Sequence, residues 1–121
     1  MSFGQSEKDT VKTFSGLRYV VQKEGIGKQA YNNRRVTITY TGRFIDGRVF
    51  DQSGAEGFSF VLGHGQVIKG MDEGIRMMTV GSRYVLIIPP KIAYGKKGYG
   101  DIIPPNETLI FEVSLNSVEE I

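Results

Sequence analysis

The sequence predicts an α+β fold, in which an antiparallel β-sheet forms a half-barrel around one short α-helix. Three observations predict it. Apolar and polar residues alternate in most segments after Ser15, as they do in half-buried strands. A single segment has helical periodicity, with Ile68, Met71 and Ile75 on one face. Asp46-Gly47 lies between two alternating segments and predicts a hairpin, because glycine tolerates the positive φ of a tight turn.

Length and composition indicate one soluble domain. The chain has 121 residues, 40% of them hydrophobic, and no apolar run near the ~20 residues that span a bilayer. Residues 1–15 are polar without a sustained period and predict a loosely ordered N-terminal extension or a poorly fixed edge segment, followed by a folded domain over residues 16–121. There is no apolar signal region, no cysteine, and a net charge of only +2. We therefore expect a cytoplasmic monomer that binds neither membranes nor nucleic acid.

Four strands are predicted before the helix, each with its apolar residues on one face: Leu17 to Val21, Val36 to Phe44, Val49 to Asp51 and Phe58 to Leu62.

The helix is predicted over Val67–Met78, with Gly81 as its C-terminal stop. Gly70 and Gly74 each weaken it by about 1 kcal/mol relative to alanine. Packing against the sheet must therefore hold this helix in place.

Two strands and a long loop complete the chain. Arg83 to Ile88 is almost continuously apolar, which indicates a strand covered on both faces. Residues Lys91 to Glu107 are rich in glycine and proline, and a loop of that length in a small domain is usually functional or disordered. Leu109 to Leu115 alternate again as a last strand.

The sequence offers no convincing residue pattern for nucleophilic catalysis, metal binding or phosphate binding. His64 is the only histidine, it lies between two glycines, and no Gly-x-Ser-x-Gly elbow accompanies it. One histidine with scattered carboxylates offers no metal-ligand spacing. Lys96-Lys97-Gly98-Tyr99 permits a nucleic-acid stacking site, but a solvated loop tip is the simpler interpretation.

Three separated segments carry a family resemblance. They are Tyr40-Thr41-Gly42 with Asp46 to Asp51, then Gln66 to Gly70, then Ala93-Tyr94-Gly95 with Ile102 to Pro105. In this order and spacing the chain resembles the FKBP family of peptidyl-prolyl cis–trans isomerases, from about Gly16 to the C-terminus. The resemblance implies isomerisation of X-Pro bonds in peptides and proteins, assisting protein folding, without a cofactor, metal, acid–base group or covalent intermediate.

The resemblance also implies a site. The catalytic candidates are Tyr40, Phe50, Asp51 and Tyr94. By analogy the Ile68 N–H and the Tyr94 hydroxyl would bind substrate carbonyls, and Ile102 would help to close the rim. The residues expected to bind substrate or a macrolide inhibitor are Tyr40, Phe50, Asp51, Phe60, Val67, Ile68, Met71, Tyr94, Tyr99, Ile103 and Phe111. Phe58 is interpreted either as an ordinary core residue or as a residue of the pocket edge.

Three departures from the family pattern affect the expected site. Met71 occupies the floor position where relatives commonly have tryptophan, which predicts weaker binding of tacrolimus and rapamycin. The short loop Gln52 to Gly57 lacks the basic residue that often pairs with the aspartate. Tyr99-Gly100-Asp101 stands where many relatives have histidine, proline and glycine, which predicts a change in rim selectivity. The first two departures leave a second interpretation open, a proline-binding module of the same fold with little turnover. The third interpretation is a basic nucleic-acid binder.

Overall fold

The structure is a computed structural model that describes residues 9–120. Within these residues the elements are strands β1 (Val11–Lys12), β2 (Arg18–Lys23), β3 (Arg35–Phe44), β4 (Val49–Gln52) and β5 (Phe58–Val61), helix α1 (Lys69–Arg76), and strands β6 (Arg83–Ile88) and β7 (Leu109–Glu119). A 3₁₀ turn covers Pro90–Ile92. No helix of the described part is long and apolar enough to span a membrane.

The strands form one antiparallel sheet in the order β1-β2-β6-β7-β3-β4. Strand β5 pairs with the first half of β3, on the same edge where β4 pairs with its second half. The helix packs across the inner face, so the predicted α+β class is confirmed. The first eight residues of the predicted extension lie outside the described residues, whereas Val11–Lys12 pair with β2.

The predicted hairpin joins β3 and β4. Gly47 has φ 95°, and the Phe44 N–H donates to the carbonyl of Arg48 at 2.9 Å. The register shifts beyond Arg43↔Val49, so the return strand is bulged there. This irregular hairpin sets the position of Phe50 and Asp51 on β4.

Helix α1 is shorter than predicted at both ends. Ile68 is extended, with ψ 153°, so the helix begins at Lys69. At the other end the Gln29 side chain donates to the carbonyls of Arg76 (2.8 Å) and Met78 (3.1 Å), and the chain turns away after Arg76. The expectation that Gly81 stops the helix was therefore wrong. The last helical carbonyls are satisfied before Gly81, because the Met77 and Met78 N–H groups donate to Gly74 and Ile75 and the Gln29 side chain donates to Arg76.

The two helix glycines allow α1 to approach β6 closely. A Cβ on Gly74 would lie 2.5 Å from Leu86 Cδ1, and one on Gly70 would collide with Ile88 Cγ2. Alanine would favour the helix locally but would push it off the sheet. Strand β6 is covered on both faces as predicted, since Val85 is as fully buried as Leu86.

Candidate active site

A cavity of about 180 Å³ opens between the start of α1, the inner face of β3 and β7, and the segment that carries Tyr94. Its lining is largely aromatic and aliphatic, with one carboxylate: Ile38, Tyr40, Asp51, Phe58, Gln66, Val67, Ile68, Met71, Tyr94 and Phe111. Pockets for drug-sized ligands usually measure about 300–1,000 Å³, so this cavity fits a single small ring.

Strand register brings the aromatic walls together. Gly42 of β3 lies opposite Phe111 of β7, and Tyr40 lies opposite Val113. The rings of Tyr40 and Phe111 are therefore neighbours, with centroids 5.8 Å apart. Phe50 meets Phe111 edge to face at 5.6 Å, behind the cavity wall. Phe50 supports that wall and is not part of the lining.

Of the two phenylalanines on β5, Phe58 lines the cavity and Phe60 does not. Phe58 pairs with Ile38, near Tyr40, whereas Phe60 pairs with Val36, one step deeper in the core. The Phe60 side chain is only 2% exposed and stacks on Phe58 at 5.5 Å. In this structure Phe60 therefore supports the wall from behind Phe58, and its contact with a substrate stays a prediction.

The long loop contributes Tyr94 to the cavity, while its other candidates lie outside the lining. Tyr99 packs its ring on Tyr94, with centroids 5.3 Å apart, and remains 57% exposed. Ile103 is buried, and its N–H donates to the Tyr99 carbonyl at 3.0 Å. Ile102 is exposed. Tyr99 can therefore affect the cavity mouth through Tyr94.

Tyr40 and Asp51 form the polar pair of the cavity. The Tyr40 hydroxyl donates a hydrogen bond to Asp51 Oδ2 at 2.8 Å. Burial, and then the hydrogen bond to Asp51, raises the pKa of Tyr40 to about 12. Burial also raises the pKa of Tyr94, with smaller effects from Tyr99 and Asp51. Both phenols are therefore protonated donors at neutral pH.

Several donors of lining residues have no partner within residues 9–120. Among them are the backbone N–H of Ile68, which immediately precedes α1, and the hydroxyl of Tyr94. The first N–H groups of a helix have no acceptor inside the helix, so Ile68 and its neighbours can bind a carbonyl from outside. His64 does not line the cavity. Its ring hydrogen-bonds the exposed Asn33 side chain at 2.7 Å.

A sequence model of the FKBP-type peptidyl-prolyl cis–trans isomerases matches residues 27–116, which include every lining residue of the cavity. The chain belongs to this family. It is 46% identical over 102 residues to FK506-binding protein 1 of Dictyostelium discoideum, covering 83% of this chain and 95% of that protein. It is also 46% identical over 109 residues to the probable FKBP-type isomerase FkpA of Neisseria meningitidis, covering 89% of this chain but only 40% of FkpA.

A solved structure supports the same assignment. The crystal structure of a peptidyl-prolyl isomerase from Pseudomonas syringae superposes with a TM-score of 0.85 at 34% identity, over 93% of this chain and 82% of that one. The protein is thus an FKBP-type peptidyl-prolyl isomerase, and the interpretation as a binding module with little turnover is not favoured.

Met71 forms the cavity floor of this FKBP-type isomerase. Its side chain is only 3% exposed and belongs to the same core cluster as Phe111. Three lining residues were not among the predicted site residues: Phe58, whose role was left open, and Ile38 and Gln66. Alternation placed Ile38 on the inner face but gave no sign that it reaches the cavity. The Gln66 amide oxygen accepts from the Val61 N–H at 3.0 Å, a contact that no sequence pattern indicates.

A larger cavity of about 690 Å³ lies elsewhere, beside the outer face of the sheet. Most of its lining residues are of polar types, among them Thr39, Thr41, Arg43, Arg83 and Glu112, and Tyr40 lines both cavities. Size alone would favour this cavity, but a polar surface suits a proline ring less well than the aromatic one. The smaller cavity is therefore the better candidate for the isomerase site.

Proposed function

We propose that the aromatic cavity binds the proline ring of an X-Pro segment and stabilises the twisted state of the preceding amide. The observation that carries the proposal is a small cavity lined largely by aromatic and aliphatic side chains, with unpartnered donors that include the Ile68 N–H and the Tyr94 hydroxyl, and one carboxylate, Asp51. Such a site binds and orients a substrate without offering a nucleophile.

The physics of the reaction suits an apolar site. Rotation about an amide is opposed by resonance, with a barrier of roughly 20 kcal/mol. In the twisted state the nitrogen becomes pyramidal and no longer donates charge to the oxygen. The amide as a whole is then less polar, so a water-poor cavity favours this state over the planar one. Uncatalysed exchange takes about 10–100 s. Reaching milliseconds requires about a 10⁴-fold gain, equivalent to roughly 5.5 kcal/mol.

Asp51 has an electrostatic role in this proposal. When the nitrogen stops sharing its electrons, the carbonyl carbon becomes more positive. A fixed carboxylate beside it stabilises that change more than it stabilises the planar substrate. The Tyr40 hydroxyl holds one carboxylate oxygen at 2.8 Å, so the charge is oriented before the substrate arrives.

The Ile68 N–H and the Tyr94 hydroxyl fix the substrate chain in this proposal. The Ile68 N–H binds a substrate carbonyl at the helix start, and the Tyr94 hydroxyl binds another from the opposite lip. Together with the cavity they hold one end of the peptide in place. Rotation of one end against a fixed other end is then the motion that the site permits.

Macrolide binding follows from the same cavity. Relatives named FK506-binding proteins share the family. We propose that this chain binds tacrolimus and rapamycin through the same lining, more weakly than relatives with a tryptophan floor, since Met71 is flexible and lacks a flat ring. The cytoplasmic location and the monomeric state remain predictions from the sequence.

A protease-coupled assay on a proline peptide tests the proposal. We expect clear acceleration by the wild type, and losses of at least about tenfold in kcat/KM for Asp51→Asn and Tyr40→Phe, since each removes a charge-assisted hydrogen bond. Tyr31→Phe is the matched control, because Tyr31 is an exposed tyrosine outside the cavity lining. Equal rates with and without protein would leave only a binding module. Full activity in Asp51→Asn and Tyr40→Phe would place the reaction elsewhere.

A further inference from the structure

The Asp51 carboxylate has no cationic partner within residues 9–120. Its one hydrogen bond comes from the Tyr40 hydroxyl, and none of the four ion pairs in this part of the chain includes it. Asp51 is also an exposed residue at the edge of the sheet. Its orientation therefore depends on how firmly Tyr40 is held.

Tyr40 lies at a gap in the strand ladder. Along this edge of β3, the pairing with β4 ends at Thr41↔Gln52, and the pairing with β5 begins at Ile38↔Phe58. Neither β4 nor β5 pairs with Tyr40 on this edge. Strand pairing alone would therefore leave the Tyr40 N–H and carbonyl without a partner. These backbone groups are partly buried, and leaving them unpaired is costly, so we expect a group outside the two ladders to bind them.

Ser53 fills this gap with both its backbone and its side chain. The Ser53 N–H donates to the Tyr40 carbonyl at 3.0 Å, as in a regular ladder. The Tyr40 N–H donates to the Ser53 hydroxyl oxygen at 2.9 Å. The serine side chain thus takes the place that a strand carbonyl would have, at the residue where the chain leaves β4.

We infer that Ser53 is a positioning residue for the isomerase site. It fixes the backbone of Tyr40, and the Tyr40 hydroxyl fixes Asp51, which lies two residues before Ser53. The segment from Asp51 to Ser53 is therefore attached to Tyr40 at both ends. This attachment replaces the missing basic partner of Asp51. The inference rests on the role that the proposed function gives to Asp51.

The hydroxyl is the part of Ser53 that matters here. Ser53→Ala leaves the Tyr40 N–H without its acceptor, whereas Ser53→Thr keeps a hydroxyl oxygen. We expect kcat to fall about five- to tenfold in Ser53→Ala, the effect of one lost hydrogen bond, with KM within about twofold. Ser53→Thr should retain most of the wild-type rate.

The matched control is Ser59→Ala. Ser59 lies on β5, and its hydroxyl is 2.7 Å from the Thr37 hydroxyl, outside the cavity lining. This variant loses a hydroxyl of the same size next to the same strand β3. It should leave both kcat and KM at the wild-type values.

The experiment measures kcat and KM on a proline peptide for these variants, with the ¹³C NMR shift of the Asp51 carboxyl as the second readout. We expect that shift to move in Ser53→Ala and to stay in Ser53→Thr and Ser59→Ala. If Ser53→Ala fails to fold, Ser53→Cys takes its place in the test. The cysteine keeps a side chain of similar shape with a weaker acceptor, so kcat should lie between the wild-type value and the value expected for the alanine variant. A wild-type kcat and an unmoved Asp51 signal in the folded alanine or cysteine variant would overturn the inference.

Asp51→Asn, measured in parallel, separates the two proposals. If Asp51→Asn keeps the full rate, the proposed role of Asp51 fails, and the inference about Ser53 fails with it. If Asp51→Asn loses activity while Ser53→Ala does not, the proposed function stands and only the positioning role is wrong.

Discussion

The ring of Phe50 lies across Gly42, so close that a Cβ on Gly42 would be 2.8 Å from Phe50 Cζ. The same Cβ would lie 2.9 Å from Phe111 Cε1. The absence of a side chain at Gly42 therefore lets a ring from β4 and a ring from β7 meet over β3. Phe111 lines the cavity and Phe50 supports it, so this glycine is needed for the shape of the cavity wall.

Gly42→Ala should reduce both stability and activity. We expect the free energy of unfolding to fall by about 1–3 kcal/mol, the usual cost of overpacking a filled core. Isomerase activity should fall as well, since Phe111 must move. Urea unfolding and the proline-peptide assay measure the two effects.

Gly54→Ala is the matched control for that substitution. A Cβ on Gly54 would meet only the carboxylate end of Glu56, at 3.0 Å, and that flexible end can move away. The free energy of unfolding should change little. Equal losses of stability in the two variants would contradict the packing argument at Gly42.

Gly74→Ala tests the contact between helix and sheet. Alanine gains about 1 kcal/mol of helix propensity, but overpacking costs about 1–3 kcal/mol, so the net effect should be destabilising. The new Cβ would lie 2.5 Å from Leu86 Cδ1. Leu86→Val makes room, and the double variant should therefore be more stable than the sum of the single effects by at least about 0.5 kcal/mol. Additive effects in urea unfolding would show that the close approach to Leu86 is not what excludes alanine.

The raised pKa of Tyr40 gives stability a dependence on alkaline pH. Its pKa rises from 10.0 to about 12, chiefly through burial, so folding favours the protonated phenol. That stabilisation is complete below pH 10 and is lost as the pH rises through 12. Tyr40→Phe should therefore flatten the fall in free energy of unfolding across this range, whereas the exposed-site variant Tyr31→Phe should not. Identical slopes in wild type and Tyr40→Phe would contradict the assignment of the raised pKa to Tyr40.

The same raised pKa predicts how activity depends on pH. Because Tyr40 stays protonated, its ionisation should leave kcat/KM unchanged between about pH 7 and 9.

Met71→Trp should strengthen macrolide binding. A flat ring at the floor gives the inhibitor a rigid contact surface, and we expect the Kd for tacrolimus to fall at least about tenfold, or about 1.4 kcal/mol. Met71→Leu conserves the volume and should leave the Kd within about threefold of the wild type. Titration calorimetry measures both, and an unchanged Kd in a folded Met71→Trp variant would show that the floor residue does not limit affinity.

Local pattern was sufficient to predict every strand of the sheet except β1, which lies in the predicted N-terminal extension. Alternation along Val36 to Phe44, and the Asp46-Gly47 turn, are properties of neighbouring residues, and the strands and the hairpin formed as predicted. The helix ends were harder to predict. Gln29, which binds the carbonyls of Arg76 and Met78, is far away in the chain, so no local signal marks Arg76 as the last helical residue.

The sequence predicted most of the residues that line the cavity, but it did not predict which neighbouring residues only support the lining. Seven residues named from the sequence line the cavity: Tyr40, Asp51, Val67, Ile68, Met71, Tyr94 and Phe111. Phe58 and Phe60 share a strand face, so alternation cannot tell which of them reaches the cavity. Their different partners on β3 decide it. Ser53 was not singled out, because its role depends on where β4 ends against β3.

Intermolecular NMR contacts to Met71 test the central claim most directly. The chain has four methionines, so methyl-¹³C methionine labelling gives a spectrum simple enough to assign. With a proline peptide whose cis–trans exchange the protein accelerates, we expect nuclear Overhauser effects between the Met71 methyl group and the proline ring protons, and none to Met77, which lies outside the cavity lining. Accelerated exchange without any contact between the proline ring and Met71 would contradict the account, since the ring would then be bound somewhere other than the aromatic cavity.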